Sequence, residues 1–370
     1  MILVLHNRYR TTGGEERAVE DLLWLIRDRL GEDAELMSRD SATVGRVAAA
    51  AGLLGGGLRP DDVARAVRRT RARIVHAHNL HPTLGWRALA AAREAGARVV
   101  LHLHQYRLVC AVGVCFTHGE ECTRCHGRNT LPGVLRNCRG SRVEAATYGA
   151  ALALWQPRLA ALTDAFVVPS AFSLQRLHEL RAPVGKAHVL PHVIRHFARE
   201  STAAGGRYAL VVSRLAPEKG VDIAIEACRI AGIPLVVAGD GPERGRLTAA
   251  AGPDVTFTGR VDDRELERLR RDASIALVPS RSGETFGLAA AEAMAFGLPV
   301  AASRVGALPE LVPAEWLVAP GDPPALAATI GRLRDGAAAA GALAIERVRR
   351  LTEPGVVSDR LARIYAAADR

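Results

Sequence analysis

The chain has 370 residues, of which 49% are hydrophobic and 4% aromatic, and its formal net charge is +10. This length exceeds one ordinary core and predicts two domains of about 150 to 200 residues each. The charge favours anionic partners such as nucleotides, phosphorylated compounds, nucleic acid or an anionic membrane surface, but it equally fits solvated helix faces. The start "MILVLHNRYR" is not typical of a signal peptide, and no apolar run reaches membrane-spanning length. We therefore expect a cytoplasmic protein, with peripheral contact at the inner face of the membrane as a further option.

Short β-rich runs alternate with longer helical stretches along the first half. The candidate strands are residues 2–6, 73–78, 98–104, 165–170 and 188–192, with helices at 15–30, 60–72 and 85–95. Apolar strands separated by helices are typical of parallel sheets covered on both faces. This half therefore predicts one doubly wound α/β domain.

The second half repeats this alternation and predicts a second doubly wound α/β domain. Its candidate strands are residues 208–215, 234–240, 255–261, 275–280, 299–303 and 316–320. The polar, glycine-rich segment 195–206 lacks periodicity and predicts a linker. After the turn "TEPG", residues 353–370 predict a terminal helix, which can pack on either domain.

The segment "SRLAPEKG" (213–220) follows a candidate strand, at the edge where open parallel sheets bind ligands. Arg214 and Lys219 flank its proline turn, and two cations at this spacing can clamp a diphosphate as charge grows on it. The alternative is two solvated loop bases. Lys219 is one of only two lysines in the chain, which favours the phosphate site.

The segment "GDGPERG" (239–245) also follows an apolar strand and opens a helix. It resembles a dinucleotide fingerprint, but its spacing is GxGxxxG and no well-placed acid ends the next strand. We therefore favour a glycine turn between strand and helix over a nicotinamide site.

The stretch "SRSGETFGLAAAEAMAFGLPV" contains Glu284 and Glu292, with no basic residue between Glu284 and Val300. Residues 285–297 predict a helix with a glycine in its first turn, where backbone N–H groups can approach a phosphate. Because carboxylates bind vicinal hydroxyls well, we expect sugar or ribose hydroxyls, rather than arginines of the chain, as their partners. The alternative is one acid at the helix start and one solvated acid in the middle.

Together with "VVAGDGPER" and "FTGRVDD", these segments resemble the C-terminal domain of family-4 retaining glycosyltransferases over about residues 208 to 320. Glu284 and Glu292 match the E-x7-E signature of that family. In the first half, "TTGGEERAVEDL", "IVHAHNLHP" and "LHLHQYRLVC" are similar to members from bacterial cell-surface polysaccharide and natural-product pathways. The resemblance implies the GT-B fold: two Rossmann-like domains facing a central cleft, with residues 1–194 binding the acceptor and 207–352 the nucleotide sugar. It also implies that the helix at 353–370 crosses back to the first domain.

The resemblance assigns donor-side roles to particular residues. Arg214 and Lys219 would bind the donor diphosphate, Glu284 the hydroxyls of the donor sugar, and Glu292 those of the ribose. The other implied donor contacts are the backbone of Phe286, Gly287 and Leu288 at the phosphates, the backbone around Arg260 and Val261 at the base, and Gly13, Gly14 and Gly241.

His104 occupies the position of the family's reaction-centre histidine, although a core histidine is the alternative. Many relatives have an acid directly after it, where this chain has Gln105, so tuning of His104 by an adjacent acid is not expected. Arg8 and Arg10, beside the presumed acceptor loop, suit an acidic or phosphate-bearing acceptor together with His104 and Gln105. That acceptor would be a carbohydrate, a lipid-linked sugar or a small molecule.

The implied reaction is a front-face transfer from a UDP- or GDP-sugar, in which the leaving phosphate helps to deprotonate the acceptor hydroxyl. The implied catalytic residues are His104, Arg214, Lys219 and Glu284. No side-chain nucleophile is needed. The chain contains no D-x-D motif, which fits transfer without a catalytic metal or other cofactor.

Five of the six cysteines lie in residues 110–138, directly after the strand that ends at His104. Cys122 and Cys125 form the C-x2-C pair of a zinc knuckle, and Cys110 and Cys138 would complete four thiolates. Alternative ligands are Cys115, His118 and His126. Because a second C-x2-C is absent, free thiols and disulfides stay open. We expect an insertion that shapes acceptor choice, with a structural zinc ion as its predicted metal.

Two other functions compete with sugar transfer. A sugar-nucleotide epimerase has the same architecture, whereas a phosphorylase needs a pyridoxal-phosphate lysine and neither lysine is suitably placed. A basic, zinc-bearing nucleic-acid-binding protein fits the composition. However, aromatic residues do not interleave with the arginines and no known nucleic-acid module is present, so we expect no nucleic-acid partner.

Overall fold

The computed structural model describes residues 1–9 and 13–369, which form two compact units. The first unit comprises Met1–His118, Cys122–Val193 and Pro354–Arg370, and the second comprises Ile194–Glu353 with Gly119–Glu121. Each unit has its own apolar core and its own six-stranded parallel sheet. The prediction of two Rossmann-like α/β domains is therefore confirmed.

The strands of the described residues are short. In chain order they are β1 (Ile2–Arg8), β2 (Ala34–Asp40), β3 (Ile74–Ala77), β4 (Arg98–His102), β5 (Phe116–Thr117), β6 (Glu120–Glu121), β7 (Ala165–Val168), β8 (Ala187–Val189), β9 (Tyr208–Val212), β10 (Leu235–Ala238), β11 (Val255–Gly259), β12 (Ala273–Val278), β13 (Val300–Ser303) and β14 (Leu317–Val318).

Helices connect nearly all of these strands. In chain order they are α1 (Gly14–Asp28), α2 (Arg46–Gly55), α3 (Pro60–Thr70), α4 (Gly85–Glu94), α5 (Leu131–Leu135), α6 (Arg142–Ala161), α7 (Ala171–Glu179), α8 (Val221–Ala231), α9 (Arg244–Ala250), α10 (Asp263–Asp272), α11 (Leu288–Ala295), α12 (Leu308–Leu311), α13 (Pro323–Asp335), α14 (Ala337–Thr352) and α15 (Pro354–Ala368). Among the described helices, none combines the length and the apolar character needed to cross a bilayer.

The sheet of the first unit has the order β2-β1-β3-β4-β7-β8, with all neighbours parallel. Successive residues of β1 lie on opposite faces of the sheet: Leu3 packs in one apolar cluster and Val4 in the other. Helix α15 adds Leu361 and Tyr365 to the cluster of Val4. The expected return of the terminal helix to the first unit is therefore confirmed.

Strand β2 has no counterpart among the predicted strands. It lies at the sheet edge, and six of its seven residues, in the sequence AELMSRD, are only partly buried or exposed. Because an edge strand needs few apolar residues, this segment lacks the apolar run by which the other strands were recognised.

The sheet of the second unit has the order β11-β10-β9-β12-β13-β14, again with parallel neighbours. Residues 195–206, predicted as a linker, form part of this unit. The N–H of Ala198 donates to the carbonyl of Ala295 at 2.8 Å, and Ser201 Oγ donates to the carbonyl of Gly297 at 2.6 Å. The polar residues that suggested a free connection thus bond the segment to the fold.

Candidate active site

The carboxyl ends of β9 and β12, which are neighbours in the sheet of the second unit, bring Lys219 and Glu284 together. Lys219 ends a 3₁₀ turn, and Gly220 follows in the left-handed region with φ of 61°. A Cβ on Gly220 would lie 2.2 Å from the carbonyl oxygen of Pro279, so only glycine lets the two strand-end loops approach so closely. Lys219 Nζ donates to Glu284 Oε1 at 2.6 Å.

Glu284 is held as a carboxylate. Burial alone raises the pKa of Glu284, but the charge of Lys219 and the hydrogen bonds from Lys219 and Ser280 outweigh burial and lower it below its usual value. Ser280 Oγ donates to Glu284 Oε1 at 2.6 Å. Among the described residues both bonds fall on Oε1, so Oε2 is available to accept from a ligand hydroxyl. Glu284 is therefore an acceptor at neutral pH rather than an acid.

Arg214 lies beside this pair and pairs with Glu218 one turn further along the loop. Its positive charge also contributes to lowering the pKa of Glu284. Its side chain is 51% exposed, whereas that of Glu218 is 11% exposed. The pairing with a buried acid positions the guanidinium while leaving it accessible to an anion.

Glu292 has a partner that the sequence analysis excluded. It forms an ion pair with Arg270 of α10, whose side chain is 4% exposed and stacks on the ring of Phe296. The expectation that ligand hydroxyls, and not arginines of the chain, would partner both glutamates is therefore wrong for Glu292. Arg270 lies 22 residues before Glu292 in the sequence and meets it only where α10 and α11 approach each other, so the spacing of residues did not indicate the pair.

Helix α11 begins later than predicted. Gly287 precedes it with φ of 91°, so the glycine is the N-cap rather than part of the first turn. Phe286 is buried, and Leu288 is the first helical residue. A Cβ on Gly306 would lie 2.3 Å from the amide nitrogen of Glu284, so the chain packs closely behind the carboxylate.

The other donor-side residues of the second unit lie after β10 and β11. A Cβ on Gly241 would lie 2.3 Å from the carbonyl oxygen of Leu215, so this glycine lets two strand-end loops pack together. Arg260 and Val261 directly follow β11; Arg260 is exposed and Val261 is half-buried. All of these positions lie at the same edge of the sheet as Lys219.

In the first unit, His104 is part of a largely buried stack of histidines at the carboxyl ends of β3 and β4, to which the segment after β8 adds His192. The stack comprises His76, His78, His102, His104 and His192, with ring centroids of successive pairs 4.2 to 5.4 Å apart. His78 Nδ1 and His104 Nε2 are 2.8 Å apart, and Tyr365 Oη lies 2.8 Å from His76 Nδ1. The stack was not predicted, although "HAH" and "HLH" place alternate histidines on one face of two adjacent strands.

Burial keeps the stack neutral. The pKa of His104 lies well below its usual value because of burial first and then the nearby His192 and His6. Burial lowers the pKa of His76 to about 3 and that of His192 to about 4. His104 Nδ1 is buried and has no hydrogen-bond partner among the described residues, so it is the ring nitrogen that is left for a further hydrogen bond.

Gln105 links the side chains around a small cavity of the first unit. Its Oε1 accepts from Arg107 Nε at 2.9 Å, and its Nε2 donates to Tyr9 Oη at 3.1 Å and to Glu15 Oε2 at 3.2 Å. Burial raises the pKa of Glu15, and the neighbouring His6 only partly opposes it. These four side chains line the cavity together with His78 and His104. The sequence analysis named Gln105 and His104 here but missed Glu15 and Arg107.

The remaining predicted residues lie where β1 meets α1. Gly13 is the N-cap of α1, and its N–H donates to Glu16 Oε2 at 2.7 Å, while Gly14 begins the helix. Arg8 ends β1 and is exposed. Arg10, the other predicted acceptor-side base, lies outside the described residues.

Two histidine triplets have donor nitrogens within 4.8 Å of one another: His76, His78 and His102, and His102, His104 and His192. Their rings lie 5° to 32° from parallel, so their in-plane lone pairs run side by side instead of converging on one ion. This arrangement favours a hydrogen-bonded stack over a metal centre.

All five cysteines of residues 110–138 line a second cavity of the first unit, whereas His118 and His126 are exposed and outside its lining.

Two protein-family models match the chain. The model described as "Glycosyl transferase 4-like domain" matches residues 15–192, and that described as "Glycosyl transferases group 1" matches residues 206–335. The chain is also similar to a GDP-mannose-dependent alpha-(1-6)-phosphatidylinositol dimannoside mannosyltransferase of Mycobacterium tuberculosis, with 36% identity over 174 residues. This match covers 43% of the chain and 45% of that relative, so it spans less than half of the relative's length.

Solved structures share the architecture of the whole chain. Sucrose-phosphate synthase of Thermosynechococcus elongatus matches with a TM-score of 0.68 and 18% identity, covering 99% of this chain and 98% of that one. Anabaena HepE, solved in complex with UDP and glucose, matches with a TM-score of 0.66 and 17% identity, covering 98% and 99%. At these identities the likeness concerns the fold.

Proposed function

This chain belongs to the family-4 glycosyltransferases, and we propose that it transfers a sugar from a nucleotide-diphosphate sugar to a hydroxyl group of an acceptor. The observation that carries the proposal is the pairing of Lys219 with the ionised Glu284 at the carboxyl edge of the second sheet. Such an edge is where doubly wound domains bind nucleotides. A cation and a carboxylate held together there provide one group for a phosphate and one for sugar hydroxyls.

Donor binding would use both members of the pair. The ammonium of Lys219 and the guanidinium of Arg214 would neutralise the diphosphate, and Glu284 Oε2 would accept hydrogen bonds from hydroxyls of the transferred sugar. As the bond between the sugar and the diphosphate breaks, its electron pair goes to the diphosphate. Cations beside the leaving group lower the barrier because they stabilise this growing charge. Lys219 and Arg214 would supply the positive charge that a divalent metal ion provides in other transferases.

We propose that the transfer proceeds with retention through a front-face reaction. The acceptor hydroxyl gives its proton to an oxygen of the departing diphosphate, and its own oxygen forms the new bond on the same face of the sugar. No side chain then needs to act as a nucleophile. The neutral His104 would orient a hydroxyl by hydrogen bonding rather than by giving up a full proton, since its pKa is well below its usual value.

Two donor bases are candidates. The name of the mycobacterial relative specifies GDP-mannose, whereas HepE was solved with UDP, so UDP- and GDP-sugars are the first donors to test. The exposed Arg8 and the net charge of +10 suit an acidic or phosphate-bearing acceptor. Lipid-linked sugars, phosphorylated small molecules and acidic carbohydrates therefore form the first acceptor panel.

The test combines product detection with a matched pair of variants. Release of nucleoside diphosphate is measured with each donor and acceptor in buffer without added divalent metal, and the anomeric configuration of the product is read by NMR. Glu284→Gln keeps the size of the side chain but removes its charge. Glu226→Gln makes the same change at an exposed glutamate of α8, which pairs with Arg229.

We expect transfer with retained configuration by the wild type and by Glu226→Gln, and strongly reduced transfer by Glu284→Gln. An inverted product would contradict the front-face reaction, and a strict need for Mg²⁺ would contradict the role of the cations. Equal activity of the two variants would contradict the role of Glu284 in binding the donor sugar.

A further inference from the structure

The insertion, residues 110–138, has very little core of its own. Its regular structure consists of the two-residue strands β5 and β6 and the five-residue helix α5. Two apolar side chains of α5, Leu131 and Leu135, are 58% and 77% exposed instead of packed. Segments that bury so little apolar surface are usually held by disulfides or by a metal ion. All of the cysteines are free thiols in the structure.

The five thiols of the insertion nevertheless surround one cavity. Apart from the cysteines, its lining consists of Thr117, Leu180 and small or apolar residues of the insertion. The lining contains no carboxylate and no imidazole, so its donors are soft sulfur atoms in apolar surroundings. Thiolates of this kind select zinc or monovalent copper over hard cations such as Mg²⁺ and Ca²⁺.

We propose that the insertion binds one structural zinc ion through four thiolates, those of Cys110, Cys122, Cys125 and Cys138. These residues come from three places in the insertion: the loop after β4, the C-x2-C turn after β6, and the residues just after α5. Zinc and four sulfurs at about 2.3 Å form a tetrahedron with sulfurs about 3.8 Å apart, so binding draws the loop-borne thiols inward around the cavity. Each thiol releases its proton to solvent, and no electron is transferred.

One of these sulfurs already accepts a hydrogen bond that suits a thiolate ligand. The N–H of Gly113 donates to Cys110 Sγ at 3.4 Å, whereas the thiol of Cys125 donates to the carbonyl of Thr130 at 3.9 Å and would lose its proton on binding the ion. Hydrogen bonds to a ligand sulfur stabilise its negative charge and fix its orientation. The backbone N–H of Gly113 is therefore placed at the Cys110 sulfur as in the outer shell of a metal site.

Cys115 has a different position. It is 2% exposed and packs in the apolar core of the first unit, whereas the other four cysteines of the insertion are only partly buried. We therefore do not assign Cys115 as a ligand, because a sulfur packed in the core is less free to move to the ion than the thiols on the loops. This choice agrees with the C-x2-C spacing, which makes Cys122 and Cys125 a chelating pair without it.

The zinc ion would fix the insertion against the cavity that contains His104. The N–H of Tyr106 donates to the carbonyl of Gly113 at 2.9 Å, and Gln156 Nε2 donates to the carbonyls of Leu108 at 2.7 Å and of Gly127 at 3.0 Å. These bonds tie the insertion to the segment that lines that cavity. Zinc binding itself is independent of the proposed function and is measured without any sugar substrate.

The experiment measures metal content in the full chain, purified without chelator. Zinc per chain is determined by plasma mass spectrometry for the wild type, Cys125→Ala and Cys228→Ala. Cys228 is the matched control, because it is a buried free cysteine of α8 in the second unit. Cys110→Ala and Cys115→Ala decide which of these two cysteines is the ligand. Replacement of zinc by Co²⁺ in the wild type supplies a spectrum that reports tetrahedral thiolate coordination without any mutation.

We expect about one zinc ion per chain in the wild type, in Cys115→Ala and in Cys228→Ala, and its loss in Cys110→Ala and Cys125→Ala. The Co²⁺ protein should show the intense visible bands of a tetrahedral thiolate site. A wild type without metal, with free or disulfide-bonded cysteines, would overturn the proposal. Loss of zinc in Cys115→Ala but not in Cys110→Ala would overturn the ligand assignment, and Co²⁺ bands of a histidine site would place the metal elsewhere.

Discussion

The second unit buries Glu284 and Glu292 in ion pairs, whereas the first unit buries its histidines as a stack of neutral imidazoles. In the second unit, Lys219 neutralises Glu284 and Arg270 neutralises Glu292. In the first unit, histidines hydrogen-bond to one another and to Tyr365. A buried charge needs a partner, whereas an imidazole escapes the cost of burial by remaining unprotonated.

The difference predicts what each unit can bind. Charged side chains attract a charged ligand, and Lys219 and Glu284 can exchange their contact with each other for contacts with that ligand. The second unit therefore suits a diphosphate and its sugar. Neutral imidazoles offer one donor and one acceptor each, so the histidine stack of the first unit suits the hydroxyls of a ligand rather than its charged groups. The predictions below test this contrast.

The largest expected effect is that acid unfolds the first unit before the second. The folded pKa of His76 is about 3, below the unfolded value near 6.5, so only the unfolded state gains a proton as the pH falls between them. The stabilisation that comes from keeping His76 unprotonated is fully present above about pH 6.5 and is lost as the pH falls. At pH 5, His76 alone lowers the free energy of unfolding by about 2 kcal/mol. Burial also lowers the pKa of His78, His102 and His104.

Peptide-resolved hydrogen exchange between pH 7.5 and 4.5, corrected for intrinsic rates, measures this difference. Peptides of β3 and β4 should lose protection below pH 6.5, while peptides of β9 and β12 keep theirs. Simultaneous loss in both units, or loss in the second unit first, would contradict the contrast.

Removal of the cation from the second unit should nearly abolish transfer. We expect Lys219→Ala to lower the transfer rate by about 100- to 1,000-fold, because charge on the leaving diphosphate loses a stabilising partner. Arg229→Ala, at an exposed arginine that pairs only with the neighbouring Glu226 among the described residues, is the control and should retain its rate. Comparison of kcat and KM with the most active donor provides the measurement, and an unchanged kcat for Lys219→Ala would be incompatible with this role.

Breaking the buried pair of the second unit should destabilise the fold. Glu292→Ala leaves Arg270 buried without its acid, and we expect a loss of about 3 kcal/mol in the free energy of unfolding. Glu267→Ala, which removes an exposed partner of Arg271, should cost less than about 1 kcal/mol. Urea unfolding measures both.

The double variant Arg270→Met with Glu292→Met separates stability from ligand binding. An apolar pair of similar size should restore most of the stability, because neither charge is then buried. If Glu292 also binds the ribose, the restored protein should still bind nucleotide weakly. Full recovery of nucleotide affinity would limit Glu292 to a structural role.

The smallest expected effect concerns the end of the histidine stack. Tyr365→Phe removes the hydrogen bond to His76 Nδ1 and should lower the free energy of unfolding by about 1 kcal/mol. Tyr148→Phe keeps the ring over which Arg139 lies and should change little. A neutral result for Tyr365→Phe at pH 7 would show that this bond does not stabilise the stack.

The sequence was informative where the site is built from local spacing. Arg214 and Lys219 are five residues apart on one loop, and Glu284 lies in the loop that follows a strand, so their place at the sheet edge could be predicted. The partners of the two acids could not, because Lys219 and Glu284 are 65 residues apart and meet only through the pairing of β9 with β12. Arg270 and Glu292 likewise depend on how two helices pack.

The first unit was harder to predict because its site depends on strand register. The pairing of His76 with Val100 places His76, His78, His102 and His104 on one face of β3 and β4 and in the residues that follow them. The strands were predicted, but their adjacency was not available from spacing alone. Edge strand β2 was missed because partial burial leaves its sequence without an apolar run.

The most direct test of the central claim is differential hydrogen exchange with and without a sugar nucleotide that binds. Peptides spanning 213–220 and 280–288 should gain protection on binding in the wild type, and the gain should disappear in Lys219→Ala but not in Arg229→Ala. Saturating binding without added protection in these two segments would contradict the assignment of Lys219 and Glu284 as the donor site.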